Sequence, residues 1–193
     1  ARVTGVQTCA LPIYPMPLRS TPARRAPALG LLMAAALLTL GSPRAFAQDT
    51  TTITTRFGTL QVDGASNELQ YRGRPFMPPI AGDGSLSALR TFQAADRDIV
   101  LVQDLAGTAC PAQFTFVTLR REGVTRTPTF GSCSDSAQIR TGSNGTITVT
   151  MPGFAGPSES PAEHRRAASR RHVFVLAADG TLTENGKPVP LPR

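Results

Sequence analysis

The stretch QFTFVTL at residues 113–119 decides how this chain folds. Successive side chains of an extended strand point to opposite sides, so Phe114 and Phe116 fall on one face and Val117 and Leu119 on the other. Such a segment needs apolar cover on both faces, or a bulge that realigns the second pair. Residues 99–102 (IVLV) and 173–177 (VFVLA) are short continuous apolar runs with β-branched side chains, which suits central strands. Around them the period is two. Ile147, Val149 and Met151 alternate with threonines, and Leu69 and Tyr71 alternate with Glu68, Gln70 and Arg72. Residues 51–62 and 86–93 read as further strands, and 137–140 and 181–184 as weaker ones.

The punctuation agrees with this pattern. Asp63-Gly64, Asp83-Gly84, Asn144-Gly145, Asp179-Gly180 and Asn185-Gly186 are pairs that accept positive φ and favour hairpin turns. Asp179-Gly180 marks the clearest hairpin, and Glu122-Gly123 is expected to turn another between 114–120 and 124–130. The expectation is all-β: a single antiparallel β-sandwich or barrel of roughly eight to ten short strands. No internal repeat at a fixed period argues for a propeller. Two stretches break the pattern. Residues 74–84 (RPFMPPIAGDG) read as an extended loop, and 153–171 (GFAGPSESPAEHRRAASRR) as a long polar loop. A connection of this length is often functional or mobile. A short helix fits from Ala162 to Arg170, with Pro161 just before its first turn.

The remaining sequence concerns destination. Residues 16–25 carry Arg19, Arg24 and Arg25 without an acid. Residues 29–40 (LGLLMAAALLTL) form a twelve-residue apolar run, and Ala45-Phe46-Ala47 is a small-x-small cleavage site. That order is a secretory signal peptide at 16–47. A membrane span needs about 20 apolar residues, so the run is too short for one. The residues after Arg24-Arg25 lack the bulky apolar pair of a twin-arginine signal, and no Cys at the cleavage site offers a lipid anchor. Residues 1–15 are expected to be a non-native prefix, and 1–13 resemble translated sequencing-adapter read-through.

Processing would change the charge. The 193 residues hold 20 Lys+Arg and 13 Asp+Glu, a net of +7 with pI near 10.6. Five of the arginines lie in residues 1–47, with no acid among them. The expected single β-rich domain, 48–193, keeps 15 bases and 13 acids, a net of +2. Global basicity is therefore no argument for nucleic acid, and none is expected as a partner.

Within 48–193 there are two cysteines, Cys110 and Cys133. An even pair in an exported chain reads as a disulfide, near-symmetric about the expected turn at Glu122-Gly123. Metal centres usually want four ligands at short spacing; with His164, His172 and no CxxC, neither metal nor cofactor is expected. The segments Cys110-Pro-Ala-Gln-Phe-Thr-Phe-Val-Thr, Phe130-Gly-Ser-Cys133-Ser-Asp135 and Phe57-Gly-Thr-Leu-Gln-Val62 resemble small exported proteins of Gram-negative bacteria. The resemblance covers most of residues 55–136. It implies a periplasmic setting and brings no activity with it.

Candidate chemistry is sparse. Asp96 and Asp98 flank Arg97 at a strand entrance and would suit a carboxylate pair, although such acids usually belong to a solvated turn. Ser134, among Ser132, Cys133 and Asp135, lacks the Gly-x-Ser-x-Gly elbow and reads as a polar-capped turn. No phosphate loop, dinucleotide fingerprint, His-Glu-x-x-His or calcium loop is present. The one concentration of charge is His164–His172, HRRAASRRH, where Arg165, Arg166, Arg170 and Arg171 could meet an anion in forked geometry.

These readings rank three functions. The first is a non-enzymatic periplasmic or secreted β-domain that binds an envelope component, protein or anionic surface, or inhibits an exported enzyme, with no transmembrane span after processing. The second is a hydrolase of unfamiliar type using Asp96/Asp98 or Ser134 with His164. The third is an assembly subunit that exchanges an edge strand. Oligomeric state is left open.

Overall fold

A computed structural model describes residues 51–190. The expected prefix and signal peptide lie outside the described residues. Three antiparallel sheets follow one another along the chain. The first joins β1 (Thr51–Thr55), β2 (Gly58–Asp63), β3 (Glu68–Tyr71) and β4 (Arg74–Pro75) as a meander. The second runs β5 (Ser85–Gln93), β6 (Arg97–Leu105), β7 (Ala112–Arg120) and β8 (Gly123–Arg126), with β9 (Phe130–Cys133) also paired to β7. The third orders β10 (Gln138–Thr141), β11 (Ile147–Pro152), β12 (Arg171–Leu176), β13 (Leu182–Glu184) and β14 (Lys187–Pro188). A single helix among the described residues, α1 (Pro161–Ser169), interrupts the connection from β11 to β12.

The sheets stack as a sandwich with a middle layer, and none closes into a barrel. Strands β6 and β7 pair in unbroken register from Arg97↔Arg120 to Leu105↔Ala112. Ile99, Leu101, Phe114 and Phe116 therefore share one face and pack with Val149, Met151, Phe174 and Leu176 of the third sheet. Val100, Val102, Val117 and Leu119 share the other and pack with Leu60, Val62 and Leu69 of the first. The two apolar faces of residues 113–119 thus arise from cover on both sides, not from a bulge. The bulge in this sheet lies on β5, between Ala88 and Arg90. Each fully buried Leu, Val or Phe here contributes about 1.5–3 kcal/mol. Phe130 joins the layers, with ring centroids 5.2 Å from Phe116 and 4.9 Å from Phe174.

Among the described residues fourteen strands stand where roughly eight to ten are expected, because two long segments split and two-residue strands form at β4 and β14. Residues 51–62 turn at Arg56-Phe57, where the Thr55 hydroxyl donates to the Gly58 carbonyl at 2.6 Å. Residues 124–130 break into β8 and β9, because Thr127 turns inward and its hydroxyl accepts from the Phe116 N–H at 3.1 Å. The hairpin at Asp179-Gly180 forms as expected, and the one expected at Glu122-Gly123 forms with its turn one residue earlier, at Arg121-Glu122, since Gly123 already pairs with Arg120. Asn185 and Gly186, at φ 47° and 80°, turn β13 into β14. Asp83-Gly84 makes no hairpin turn; it leads into β5.

Residues 74–84 are pinned rather than free. Phe76 and Ile80 are buried in the first-sheet core, and the Leu69 N–H donates to the Ile80 carbonyl at 2.8 Å. Asn67 Nδ2 donates to the carbonyls of Gly82 and Gly84, both at 2.7 Å.

Candidate functional site

Cys110 and Cys133 form a disulfide with Cα atoms 4.6 Å apart. Ala112 pairs with Cys133 across β7 and β9, so the bond locks β9 against the middle sheet beside that pair. The serines around it are structural. Ser132 Oγ donates to the Pro152 carbonyl at 2.6 Å, tying β9 to β11. Ser134 is buried; its N–H donates to Ser132 Oγ and its own Oγ accepts from the Ser136 N–H at 3.2 Å. His164 stands exposed on α1. Ser134 therefore caps a turn, and the structure does not bring it to His164.

Asp96 and Asp98 separate as well. Asp96 lies in the β5–β6 turn with 65% of its side chain exposed, whereas Asp98 is fully buried on the face toward the first sheet. Arg56 meets Asp98 with three donors: its backbone N–H reaches Oδ2 at 2.7 Å, and Nε and one Nη reach Oδ1 at 2.8 and 2.6 Å. Asp98 is the counter-charge of a structural clamp, so the two acids do not form the pair that hydrolysis across a cleft requires.

The basic segment is ordered by local sequence. Ser160 is the N-cap of α1, its Oγ accepting from the Glu163 N–H while the Glu163 carboxylate accepts from the Ser160 N–H at 2.9 Å. Pro161 occupies the first turn. The Ser160 hydroxyl and N–H hold the Glu163 carboxyl below its usual range. Ala167 is the buried residue of the helix, which leaves Arg165, Arg166, Arg170 and Arg171 exposed. Arg166 and Arg170 line one cavity of about 320 Å³ with Glu159 and Glu163. Arg170 and Arg171 line a second, of about 240 Å³, beside Gln138 and Thr150. Arg165 lines neither cavity, so the four arginines do not converge on one pocket.

A further pair was not singled out in the sequence. Arg97 opens β6 and Arg120 closes β7, and register places them directly opposite each other on the face toward the third sheet. They line a cavity of about 240 Å³ with Ile99, Thr118, Leu176 and the turn through Asp179. The Thr181 N–H donates to Asp179 at 2.9 Å and holds its carboxyl below the usual range. The signal was an arginine at each end of one hairpin, readable only once the pairing is known.

Among the described residues, no group of three or more His, Cys, Asp or Glu side chains could hold a metal ion. Among them too, no helix is long and apolar enough to cross a membrane. The chain matches no family model, and no curated protein or solved structure is similar to it at a significant level.

Proposed function

We propose that this chain is an exported β-domain, periplasmic or secreted, that binds an anionic surface of the cell envelope through the basic rim around α1. The observation that carries the reading is the placement of Arg165, Arg166, Arg170 and Arg171. All four are exposed: Arg165 and Arg166 lie on a helix fixed by its own capping box, Arg170 is its C-cap, and Arg171 opens β12. Glu163 is the nearest acid in sequence, and its carboxylate is directed back to Ser160. Arg166 and Arg170 stand one turn apart near the helix C-terminus, where cations are favoured. Guanidinium forks suit phosphate oxygens, and phospholipid headgroups present them in a plane that a rim can meet. The signal-peptide pattern at 16–47 supports the destination.

Co-sedimentation with phosphatidylglycerol and phosphatidylcholine vesicles across a salt series tests this function. Binding to the anionic vesicles alone is expected, weakening steeply above about 0.15 M salt, where the Debye length is roughly 8 Å. Replacement of all four arginines by glutamine should abolish it. Equal binding to both lipids would overturn the reading.

A further inference from the structure

The geometry points to a second, separate site: a small organic monocarboxylate seated between Arg97 and Arg120, its apolar body against Ile99 and Leu176. Two guanidiniums directly opposite on one sheet face repel each other, so the arrangement calls for an anion. Asp96 supplies one incompletely. Its Oδ2 lies 3.7 Å from Arg97 Nη1 and 3.7 Å from Arg120 Nε, too far for a hydrogen bond to either. The donors that would grip a carboxylate are therefore not consumed. Arg97 Nε is, among the described residues, the buried side-chain nitrogen or oxygen left without a partner. That nitrogen is too enclosed for a ligand to touch, so the grip falls to the Arg97 Nη groups and the Arg120 guanidinium. The Arg97 side chain is only 14% exposed, so a charged hydrogen bond to it is less screened than one at the surface.

The cavity selects the ligand by size and charge. Its volume of about 240 Å³ admits a molecule of a few heavy atoms. Arg97, Arg120 and Arg126 contribute three positive charges to its wall; Asp179 in the wall and Asp96, 3.7 Å from both Arg97 and Arg120, contribute two negative ones. The balance of one positive charge fits a monoanion better than a dianionic phosphate. Ile99 and Leu176 give the floor an apolar surface that a bare oxyanion would leave unused. The Arg97 end of the hairpin is also held in place, because an Arg56 Nη donates to the Arg97 carbonyl at 2.9 Å.

The test is a titration of the oxidised chain with butyrate, acetate and inorganic phosphate at constant ionic strength, followed by NMR of the arginine Nε–H signals. Butyrate is expected to saturate and to move the Arg120 Nε–H resonance downfield, with acetate weaker and phosphate weaker still. Arg120→Gln should weaken butyrate by about tenfold or more, the range for a hydrogen bond to a charged group. Asp96→Asn changes an exposed side chain and removes the competing carboxylate, so it should tighten butyrate several-fold. Failure of butyrate to saturate, phosphate binding in its place, or unchanged binding in Arg120→Gln would each overturn the site. Weaker binding in Asp96→Asn would overturn the competing role of Asp96 and with it the site.

Discussion

Arg56 and Asp98, 42 residues apart, bind the first sheet to the middle one through both carboxylate oxygens of a fully buried aspartate. The same guanidinium also donates to the carbonyls of Ala94 and Arg97, so one side chain fixes the β5–β6 turn. Its own side chain is 43% exposed, and the asymmetry sets the expected costs. Arg56→Ala leaves a buried charge with one backbone donor and should destabilise by about 3 kcal/mol, the lower end for breaking a buried pair. Asp98→Asn keeps the shape, loses the charge, and should cost less. Urea denaturation of both single variants and the double variant measures the coupling, and additive losses would show that the clamp carries no energy of its own.

Removal of the disulfide should be costly for a different reason. Cys110 and Cys133 are 23 residues apart and enclose the turn of β7 into β8. Closing a loop of this size restricts the unfolded chain by about 3 kcal/mol in the chain-entropy account. The paired variant Cys110→Ser/Cys133→Ser should melt well below the oxidised parent. Mass spectrometry of unreduced peptides should recover the two cysteines in one cross-linked species. An unchanged melting temperature would assign the stability to packing alone.

How far the fold could be read depended on whether its cause was local. The pattern at 113–119 allows either cover on both faces or a bulge, and the layers on either side decide for cover. Residues 51–62 read as one strand because Arg56 and Phe57 carry no turn signature; the turn there is closed by the Thr55 hydroxyl on the Gly58 carbonyl and anchored by the clamp on a residue 42 positions away. The same distance explains why Asp98 resembled a solvated turn acid. The pairing of Arg97 with Arg120 needed the register of a whole hairpin. By contrast, the start of α1 has a local cause, the Ser160–Glu163 capping box, which brings Pro161 inside the first turn and starts the helix one residue before Ala162.

Gly84 offers a test of close packing. A Cβ built there would lie 1.7 Å from the Leu105 carbonyl oxygen and 2.7 Å from its carbon, both backbone atoms that cannot swing aside. Gly84→Ala should therefore force β5 away from the end of β6 and cost about 3 kcal/mol or more. Gly107→Ala is the control, since nothing lies within 4 Å of the added carbon, and it should change stability by less than about 0.5 kcal/mol. Equal melting temperatures for the two variants would show that β5 can yield at this point.

Acid should loosen α1 from its N-terminus. The Ser160 side chain first, and its N–H second, favour the ionised form of Glu163, so the carboxyl titrates below its ordinary value of 4.5 in the folded chain. A carboxyl lowered on folding contributes stability that is fully present above its unfolded value and is lost as pH falls through the folded one. Amide exchange in the first turn of α1 should thus be unchanged from pH 7 to 5, allowing for intrinsic rates, and accelerate below about 4.5. Glu163→Gln should remove that acid step while keeping a weaker box. Ser160→Ala should expose the first-turn amides several-fold at every pH, because it removes the acceptor that does not titrate. Asp63 and Asp179 are lowered in the same direction by backbone N–H donors, from Ala65 first and from Thr181 first. Global melting in acid therefore does not report on the cap alone, and exchange resolved at residues 160–164 isolates it. An acid step at those amides that persists in Glu163→Gln would assign it to another group.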